Sequence, residues 1–205
     1  MLGRTMPQPV PARSVVLAST SPHRRDLMQR LAVPVLAVDP NLDESPYKAL
    51  GLRPADLVQQ LSEAKARAVG SAHPEALIVG SDQCAEIDGR ILGKPKTVEA
   101  ARDQLSLLCG RGHRLLTGLC VLDSRTGRCQ LHLDEHVLHM RPLTRAQIER
   151  YVERDRPMDC AGGYRIEASG MTLFEHIDGQ DYTAVIGLPM MRLVTMLLQA
   201  GLDPL

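Results

Sequence analysis

Apolar and amphipathic segments alternate along this chain. Three short apolar runs have the length and composition of buried strands: residues 15–18, 35–38 and 76–79. Three longer segments repeat apolar residues at helical spacing: residues 22–31, 54–68 and 98–108. Pro22, Pro54 and Thr97 occupy positions where such helices begin. This alternation predicts the strand–helix units of an α/β protein.

The second half of the chain predicts antiparallel strands. Asp88 and Gly89 form a two-residue hairpin signal between apolar neighbours. Two long segments, 115–122 and 130–140, are predicted as strands that flank a turn at residues 125–128. Strands connected in this way cannot all be parallel, so we expect a mixed, twisted sheet flanked by helices.

Two further helices are predicted near the C-terminus. Thr144 caps a helix that extends to about residue 154, and residues 156–182 are expected to form a structured loop with short strands. The last helix is predicted over residues 187–200. Its inward-facing side chains are expected to be Leu188, Met191, Val194, Leu197 and Leu198.

The pattern contains no linker, repeat or low-complexity block, so residues 13–205 are expected to form a single domain. Residues 1–12 contain three prolines and no core-forming run, which predicts a flexible N-terminal tail and not a signal peptide. The five cysteines are odd in number and lack a CxxC pair, which is typical of free thiols in a reducing compartment. We therefore expect a cytoplasmic protein.

Composition argues against two classes of partner. The chain has 24 Lys and Arg against 24 Asp and Glu, so no net charge attracts nucleic acid or an anionic membrane. With one Phe, four Tyr and no Trp, it lacks the aromatic platforms on which single-stranded nucleic acid stacks. No run is long enough to span a bilayer. Neither a nucleic-acid polymer nor a membrane is an expected partner.

The loop after the first predicted strand combines hydroxyl groups with arginine. Ser19 and Ser21 precede the predicted helix start at Pro22, and Arg24 follows it. Unpaired backbone N–H groups and the helix dipole favour anions at such a place, which makes the loop a candidate phosphate or carboxylate site. The alternative is an ordinary serine cap on a surface helix with a solvated arginine. This segment alone leaves both interpretations open.

Charged residues also follow the other two strands of the first half. Asp82 comes just after the third predicted strand, where lost solvation must be offset by a metal, a cation or a role in proton transfer. Glu44 follows the second strand, and the two carboxylates together would offer oxygen ligands for Mg²⁺. Lys94 lies in a Gly-Lys-Pro loop and is a candidate phosphate ligand, although loop lysines are commonly solvated. Ligands gather at the carboxyl ends of strands in α/β sheets, so we expect these loops to converge.

Histidines along residues 130–140 suggest a different site. His132, Asp134 and His136 alternate on one face of the predicted strand, and His139 lies on the other. Such a face could bind Zn²⁺, but no cysteine or further histidine nearby in sequence completes a ligand set. We therefore expect an exposed polar strand face.

Several short motifs, in order along the chain, resemble those of the Maf-like nucleoside triphosphate pyrophosphatases. They are Ser19-Thr20-Ser21-Pro22-His23-Arg24-Arg25, Asp43-Glu44, Glu63-Ala64-Lys65-Ala66, Gly80-Ser81-Asp82-Gln83, Gly93-Lys94-Pro95, Ala161-Gly162-Gly163-Tyr164 and Gly187-Leu188-Pro189. The matches run from about residue 15 to the C-terminus. The segment 80–83 and the segment ending in Glu167 are most similar to the branch of the family that hydrolyses 7-methyl-GTP.

The resemblance implies an architecture like that of inosine-triphosphate pyrophosphatases, with two lobes around a central cleft. It implies that a nucleoside triphosphate, 7-methyl-GTP or a related modified nucleotide, is hydrolysed to the monophosphate and pyrophosphate. Water would attack the α-phosphate with help from a divalent cation, Mg²⁺ or Mn²⁺. The resemblance also suggests a homodimer.

Individual residues receive roles from the same resemblance. Asp82 matches the proton acceptor, and the other matched catalytic residues are Lys94, Lys65 and Arg24. Phosphate-binding positions are Ser19, Ser21, Arg24 and Lys94, and metal-binding positions are Glu44 and Asp82. Base-selecting positions are His23, Gln83 and Glu167.

Other functions stay open on the sequence alone: a non-catalytic nucleotide-binding regulator of cell division, or a pyrophosphatase of the dTTP/UTP or inosine-triphosphate type. Asp82 disfavours pure binding, because a carboxylate near phosphates gains nothing unless a metal lies between them. The dTTP/UTP branch carries glutamine where Glu167 stands. His23 departs from the tryptophan of the 7-methyl-GTP branch, and histidine stacks less well on a cationic base.

Overall fold

The computed structural model describes residues 13–205, and the predicted N-terminal tail, residues 1–12, lies outside the described residues. The strands are β1 Val15–Ala18, β2 Val35–Val38, β3 Leu77–Ile87, β4 Arg90–Leu92, β5 Gly112–Asp123, β6 Cys129–Met140 and β7 Phe174–Asp178. The helices are α1 Pro22–Met28, α2 Ser45–Ala49, α3 Pro54–Gly70, α4 Val98–Leu108, α5 Arg145–Asp155, α6 Tyr182–Ile186 and α7 Met190–Gln199. Two short 3₁₀ turns, Ala161–Gly163 and Ser169–Leu173, precede β7.

One mixed sheet runs through the molecule in the order β2-β1-β3-β5-β6-β7, with β4 also paired to β3. β1 is parallel to both β2 and β3, and the remaining pairs are antiparallel. The predicted α/β fold with a mixed sheet flanked by helices is therefore confirmed. The turn at Asp88-Gly89 has positive φ at both residues, as the predicted two-residue hairpin requires.

β3 has a gap along one of its edges. On one side it pairs with β5 from Leu77 to Glu86. On the other side it pairs first with β1, over Leu77–Val79, and then with β4, over Ala85–Ile87. Within residues 13–205, no strand pairs with residues 80–84 on that edge. The loops that leave β1 and β4 meet at this gap.

The first half of the sheet is covered on both faces. Val16, Ala18 and Ile78 point to one face and pack against Ala66 and Val69 of α3. Alternate residues of the same strands point to the other face, and there they contact α1 and α7. The distal part of β3, β5 and β6 packs against α4 and α5 in a separate apolar cluster. The two clusters of the first half and the cluster against α4 and α5 thus lie on either side of the β3 gap.

Two glycines allow α3 to approach the sheet closely. A Cβ at Gly80 of β3 would collide with the backbone carbonyl of Ser62, and one at Gly118 of β5 would collide with the carbonyl of Val58. Gly118 lies opposite Asp82 across the β3–β5 pair. The middle of α3 therefore packs directly against the strand segment that carries Asp82.

The third strand is longer than the sequence pattern predicts. Residues 80–83 were expected to leave the strand that ends at residue 79, but β3 continues to Ile87. The polar side chains of this segment have partners inside the fold: Ser81 Oγ donates to the Gly118 carbonyl at 2.8 Å, and Gln83 Nε2 donates to Thr117 Oγ1 at 2.9 Å. Asp82 therefore lies in mid-strand and not in a loop.

Two predicted helices are shorter than expected. α1 ends at Met28, because residues 30 and 31 bond back three residues in tighter turns. α7 begins only at Met190, after Pro189, so the helical phase differs from one counted from residue 187. Leu193, Met196 and Leu197 form its buried face, whereas Met191 and Leu198, predicted to point inward, are 58% and 47% exposed.

The predicted exposed face of β6 is also wrong in part. His136 is buried, and its Nδ1 lies 2.8 Å from Asp134 Oδ1. Gly179 covers the ring, and a Cβ at that position would overlap it. The segment after β7 therefore packs on this face. Among residues 13–205, no helix combines the length and apolarity needed to cross a membrane.

We predict that Gly118→Ala destabilises the fold, because the added methyl group must displace the α3 backbone. Overpacking of this kind costs about 1–3 kcal/mol, and more where backbone has to move. Urea unfolding monitored by circular dichroism measures the change. Gly93→Ala is the matched control, since a Cβ there meets open space and φ at Gly93 is not positive. Equal unfolding free energies for the two variants would contradict the close packing of α3 against β5 at Gly118.

Candidate functional site

A cleft of about 730 Å³ opens at the β3 gap. The loop after β1 forms one wall, and the loop after β4 contributes Lys94 to another. Residues of α3 and the segment 159–167 complete the lining. The cleft brings together all the residues that the sequence analysis proposed for the site: Ser19, Ser21, His23, Arg24, Glu44, Lys65, Asp82, Gln83, Lys94 and Glu167.

Lys65 links the two acidic residues of the cleft. Its Nζ donates to Asp82 Oδ1 at 2.5 Å and lies 2.8 Å from Glu44 Oε1. The lysine side chain is 11% exposed, so a charge is held here in a largely desolvated place. Burying such a charge is costly unless it is paired, and the two carboxylates provide that pairing.

The backbone at Asp82 is fixed from α3 as well. Ser62 Oγ accepts a hydrogen bond from the Asp82 N–H at 3.0 Å and donates to the Val58 carbonyl at 2.6 Å. A helix and a strand that are this tightly connected hold Lys65 and Asp82 at a fixed separation. Ser62 was not predicted, because a serine within an amphipathic helix has no signal in sequence that distinguishes it from a solvated residue.

A second lysine binds Glu44 from the other side. Lys48 Nζ donates to Glu44 Oε2 at 2.6 Å. Burial raises the pKa of the Glu44 carboxyl, but hydrogen bonds from Lys48 and Lys65 outweigh it and leave that pKa at about 2, below the usual 4.5. Lys48 was missed from the sequence, although its spacing of four residues from Glu44 was a usable signal.

Arg24 is anchored at the closing loop of the fold. Its Nε donates to the Gly187 carbonyl at 2.8 Å, and the same carbonyl accepts from Ser81 Oγ at 3.0 Å. Burial lowers the pKa of the Arg24 guanidinium below its usual value, although the charges of Asp82 and Glu44 partly oppose this shift. Its two terminal nitrogens have no hydrogen-bond partner among residues 13–205, so they are available to a ligand.

The serines of the first loop organise that loop. Ser19 Oγ accepts from the Ser21 N–H at 3.1 Å, and Ser21 Oγ accepts from the Arg24 N–H at 3.4 Å as the cap of α1. Ser21 is therefore the cap of α1, but Arg24 is not the solvated arginine of that alternative, because it binds the Gly187 carbonyl. Neither hydroxyl donates to a protein acceptor within the described part of the chain, which leaves both protons for a ligand.

Four further side chains line the cleft: His23, Gln83, Arg165 and Glu167. His23 Nε2 lies 3.1 Å from Glu167 Oε1, and Arg165 Nε lies 3.5 Å from the same oxygen. Gln83 Nε2 is occupied by Thr117 and by the Ala184 carbonyl, at 2.9 and 2.8 Å, so its free polar atom is the amide oxygen. Arg165 was not predicted, although it stands two residues before Glu167.

Lys94 differs from Lys65 in having no partner among residues 13–205. It is exposed in the loop after β4 and borders the cleft. The preceding residue, Gly93, has open space where a Cβ would lie, and its carbonyl accepts from Gln104 Nε2 at 3.0 Å. The loop is thus tied to α4, and the lysine remains free to reach into the cleft.

Comparison with known proteins identifies similar chains. A family model described as Maf-like protein matches residues 14–200. A protein of Pseudomonas syringae pv. tomato named 7-methyl-GTP pyrophosphatase is 47% identical over 190 residues, which cover 93% of this chain and 98% of the relative. Proteins of the same name from Pseudomonas aeruginosa and Nitrosococcus oceani are 44% and 41% identical over 189 and 196 residues. Those matches cover 92% and 96% of this chain, and 97% of each relative.

The pKa of Glu44 predicts a loss of stability in acid. Because the folded-state pKa of about 2 lies below the unfolded value of about 4.5, the contribution of Glu44 to stability is complete above pH 4.5 and is lost as the pH falls toward 2. We expect the unfolding free energy of Glu44→Gln to decrease less than that of the wild type between about pH 5 and pH 3. Urea unfolding at both pH values measures this.

Glu75→Gln is the control for this measurement. Glu75 is exposed before β3 and forms no ion pair among residues 13–205. The unfolding free energy of Glu75→Gln is therefore expected to change between the two pH values as that of the wild type does. If Glu44→Gln also followed the wild type, the paired carboxylate would contribute nothing to acid sensitivity.

Proposed function

Because this chain belongs to the Maf-like protein family, we propose that it hydrolyses a nucleoside triphosphate of the 7-methyl-GTP type to the monophosphate and pyrophosphate. The proposal is supported by relatives of that name that are 41–47% identical over more than nine-tenths of the chain. The observation that carries it is the Lys65 ammonium held between the carboxylates of Asp82 and Glu44, within a cleft that also contains Arg24 and Lys94.

In the proposed reaction a water oxygen forms a bond to the α-phosphorus. The bond that breaks joins this phosphorus to the oxygen bridging it to the β-phosphate, and pyrophosphate leaves with that oxygen. Asp82 takes the proton from the attacking water. Lys65 donates to Oδ1 of Asp82 and so fixes the orientation of the carboxylate, which leaves Oδ2 to face the water. Positioning of this kind is a large part of catalysis in phosphoryl transfer.

Cationic side chains and hydroxyl groups bind the phosphates as hydrogen-bond donors. Arg24 presents its terminal guanidinium nitrogens, which suit two phosphate oxygens at once. Lys94 adds a second positive charge from the loop after β4, as a point charge. Ser19 and Ser21 donate their free hydroxyl protons from the loop after β1. These donors stabilise the negative charge that develops on the phosphate oxygens in the transition state.

The residues also fit a divalent cation, Mg²⁺ or Mn²⁺. Such ions take a small number of carboxylates, together with waters and substrate phosphates. Glu44 and Asp82 are the residues that would hold it, and the ion would replace part of their pairing with Lys65 and Lys48. A bound ion would neutralise phosphate charge and lower the pKa of a coordinated water.

Glu167 is the residue proposed to recognise the base through hydrogen bonds. A carboxylate accepts hydrogen bonds from both the N1–H and the exocyclic amino group of a guanine edge. In the structure His23 and Arg165 bind this carboxylate, so the base edge replaces His23 as its partner. Gln83 can contribute only its amide oxygen, because its nitrogen is bound within the fold. We further infer that the protein acts as a homodimer on free nucleotides in the cytoplasm.

We predict that Asp82→Asn lowers kcat for pyrophosphate release by about 10²–10⁴-fold, the usual contribution of a positioned general base. A coupled pyrophosphate assay with 7-methyl-GTP and Mg²⁺ measures the rate. Asp88→Asn is the matched control, since Asp88 pairs with Arg111 in an exposed turn outside the cleft. Near-wild-type turnover in Asp82→Asn would contradict the assignment, and tight nucleotide binding without turnover in the wild type would favour a regulator.

We predict that Glu167→Gln changes which base is preferred. Glutamine offers one acceptor and one donor in place of two acceptors, so the guanine edge loses a charge-assisted hydrogen bond worth about 1.5–3 kcal/mol. The ratio of kcat/KM for 7-methyl-GTP to that for UTP should fall at least about tenfold. Steady-state kinetics on a panel that also contains GTP, dTTP and CTP gives the ratio. An unchanged substrate profile would remove Glu167 from base selection.

A further inference from the structure

A second group of metal-ligating side chains lies at the β6–β7 edge of the sheet. His139 of β6 and His176 of β7 are paired directly across the two strands, so their side chains emerge on the same face. Asp178 follows His176 by two residues and points to that face as well. None of the three lines the catalytic cleft.

Distances within this group suit a single ion. His139 Nε2 lies 3.0 Å from Asp178 Oδ2, and His176 Nε2 lies 3.8 Å from the same oxygen. One ligand atom of each residue lies within 4.8 Å of the other two. An ion bound at about 2.0–2.2 Å to nitrogen and oxygen connects atoms up to about 4 Å apart, so small side-chain rotations bring all three ligands to it.

The two imidazole rings are already adjacent. Their centroids are 3.9 Å apart and the ring planes differ by 16°. Parallel rings direct their nitrogen lone pairs side by side, so coordination of one ion requires the rings to open slightly. His176 and Asp178 are more than half exposed, which leaves room for that movement. His139 lies over Gly112 of β5, where a Cβ would be 3.3 Å from the ring.

We propose that His139, His176 and Asp178 form a binding site for a divalent transition-metal ion of the Zn²⁺ class. Two imidazoles and one carboxylate favour Zn²⁺, Ni²⁺ or Cu²⁺ over Mg²⁺, which prefers oxygen ligands. Three protein ligands leave the remaining coordination position to water. The site therefore differs in ligand chemistry from the carboxylate pair of the cleft, and its existence does not depend on the proposed pyrophosphatase activity.

Titration of the full chain with Co²⁺ tests the site, because the visible spectrum of the bound ion reports its ligands. We expect one equivalent bound through nitrogen and oxygen, besides any ion held by the carboxylates of the cleft, and the affinity of this nitrogen-containing site should fall at least about tenfold in His176→Ala and in Asp178→Asn. Asp178 is 66% exposed, so its substitution leaves the fold intact. His73→Ala, which removes a histidine elsewhere, should bind as the wild type does, and the nitrogen-containing site should persist in Asp82→Asn even where the cleft loses its ion.

Two results would overturn the proposal. One is equal Co²⁺ affinity of the wild type and of the His139→Ala/His176→Ala double variant, with circular dichroism showing both chains folded. The other is a thiolate-to-cobalt charge-transfer band, which would place the ion on one of the five cysteines.

Discussion

The close packing of α3 against β3 and β5 is the constraint on which the rest of the site depends. Glycine at positions 80 and 118 lets the helix backbone approach the strands more closely than any other residue would permit. Ser62 uses that proximity to bind the backbone N–H of Asp82. One turn further along α3, Lys65 reaches the carboxylate of the same residue. A packing requirement and a chemical contact are thus satisfied by one helix–strand interface.

The topology of the sheet explains why a cleft opens at this place. β3 exchanges one neighbour for another along a single edge, and the loops from β1 and β4 enter the space between them. The anionic and cationic groups that line this space largely satisfy each other: Lys65 holds both acids, and Lys48 holds Glu44. Arg24 and Lys94 remain available to anionic ligands. A triphosphate therefore meets free positive charge without displacing the internal pairs.

Local patterns were sufficient to predict the elements whose signals lie within a few residues. The caps at Thr97 and Thr144 and the Asp88-Gly89 hairpin are of this kind. The length of β3 was not predictable in this way, because the polar residues after position 79 are stabilised by partners far away in sequence, such as Thr117 and Gly118. The phase of α7 was misjudged because a buried Leu188 precedes the helix.

The residues of the site divide in the same way, into those with a local signal in the sequence and those whose contacts depend on the assembled fold. Glu44 and Asp82 were grouped by their places after two strands, but Lys65 joined them only through family resemblance, because nothing local in the sequence places a lysine of one helix between acids 21 and 17 residues away. Lys48 was within reach of a helical-spacing argument. Ser62 and Arg165 were not, since their contacts with Asp82 and Glu167 emerge only when helix, strand and loop are assembled.

Hydrolysis in ¹⁸O-labelled water tests the central claim, attack at the α-phosphorus, most directly. Mass spectrometry of the products after turnover of 7-methyl-GTP locates the label. The account predicts one ¹⁸O atom in the nucleoside monophosphate and none in the pyrophosphate. Label in the pyrophosphate would show attack at the β-phosphorus and would contradict the placement of Asp82 beside the α-phosphate.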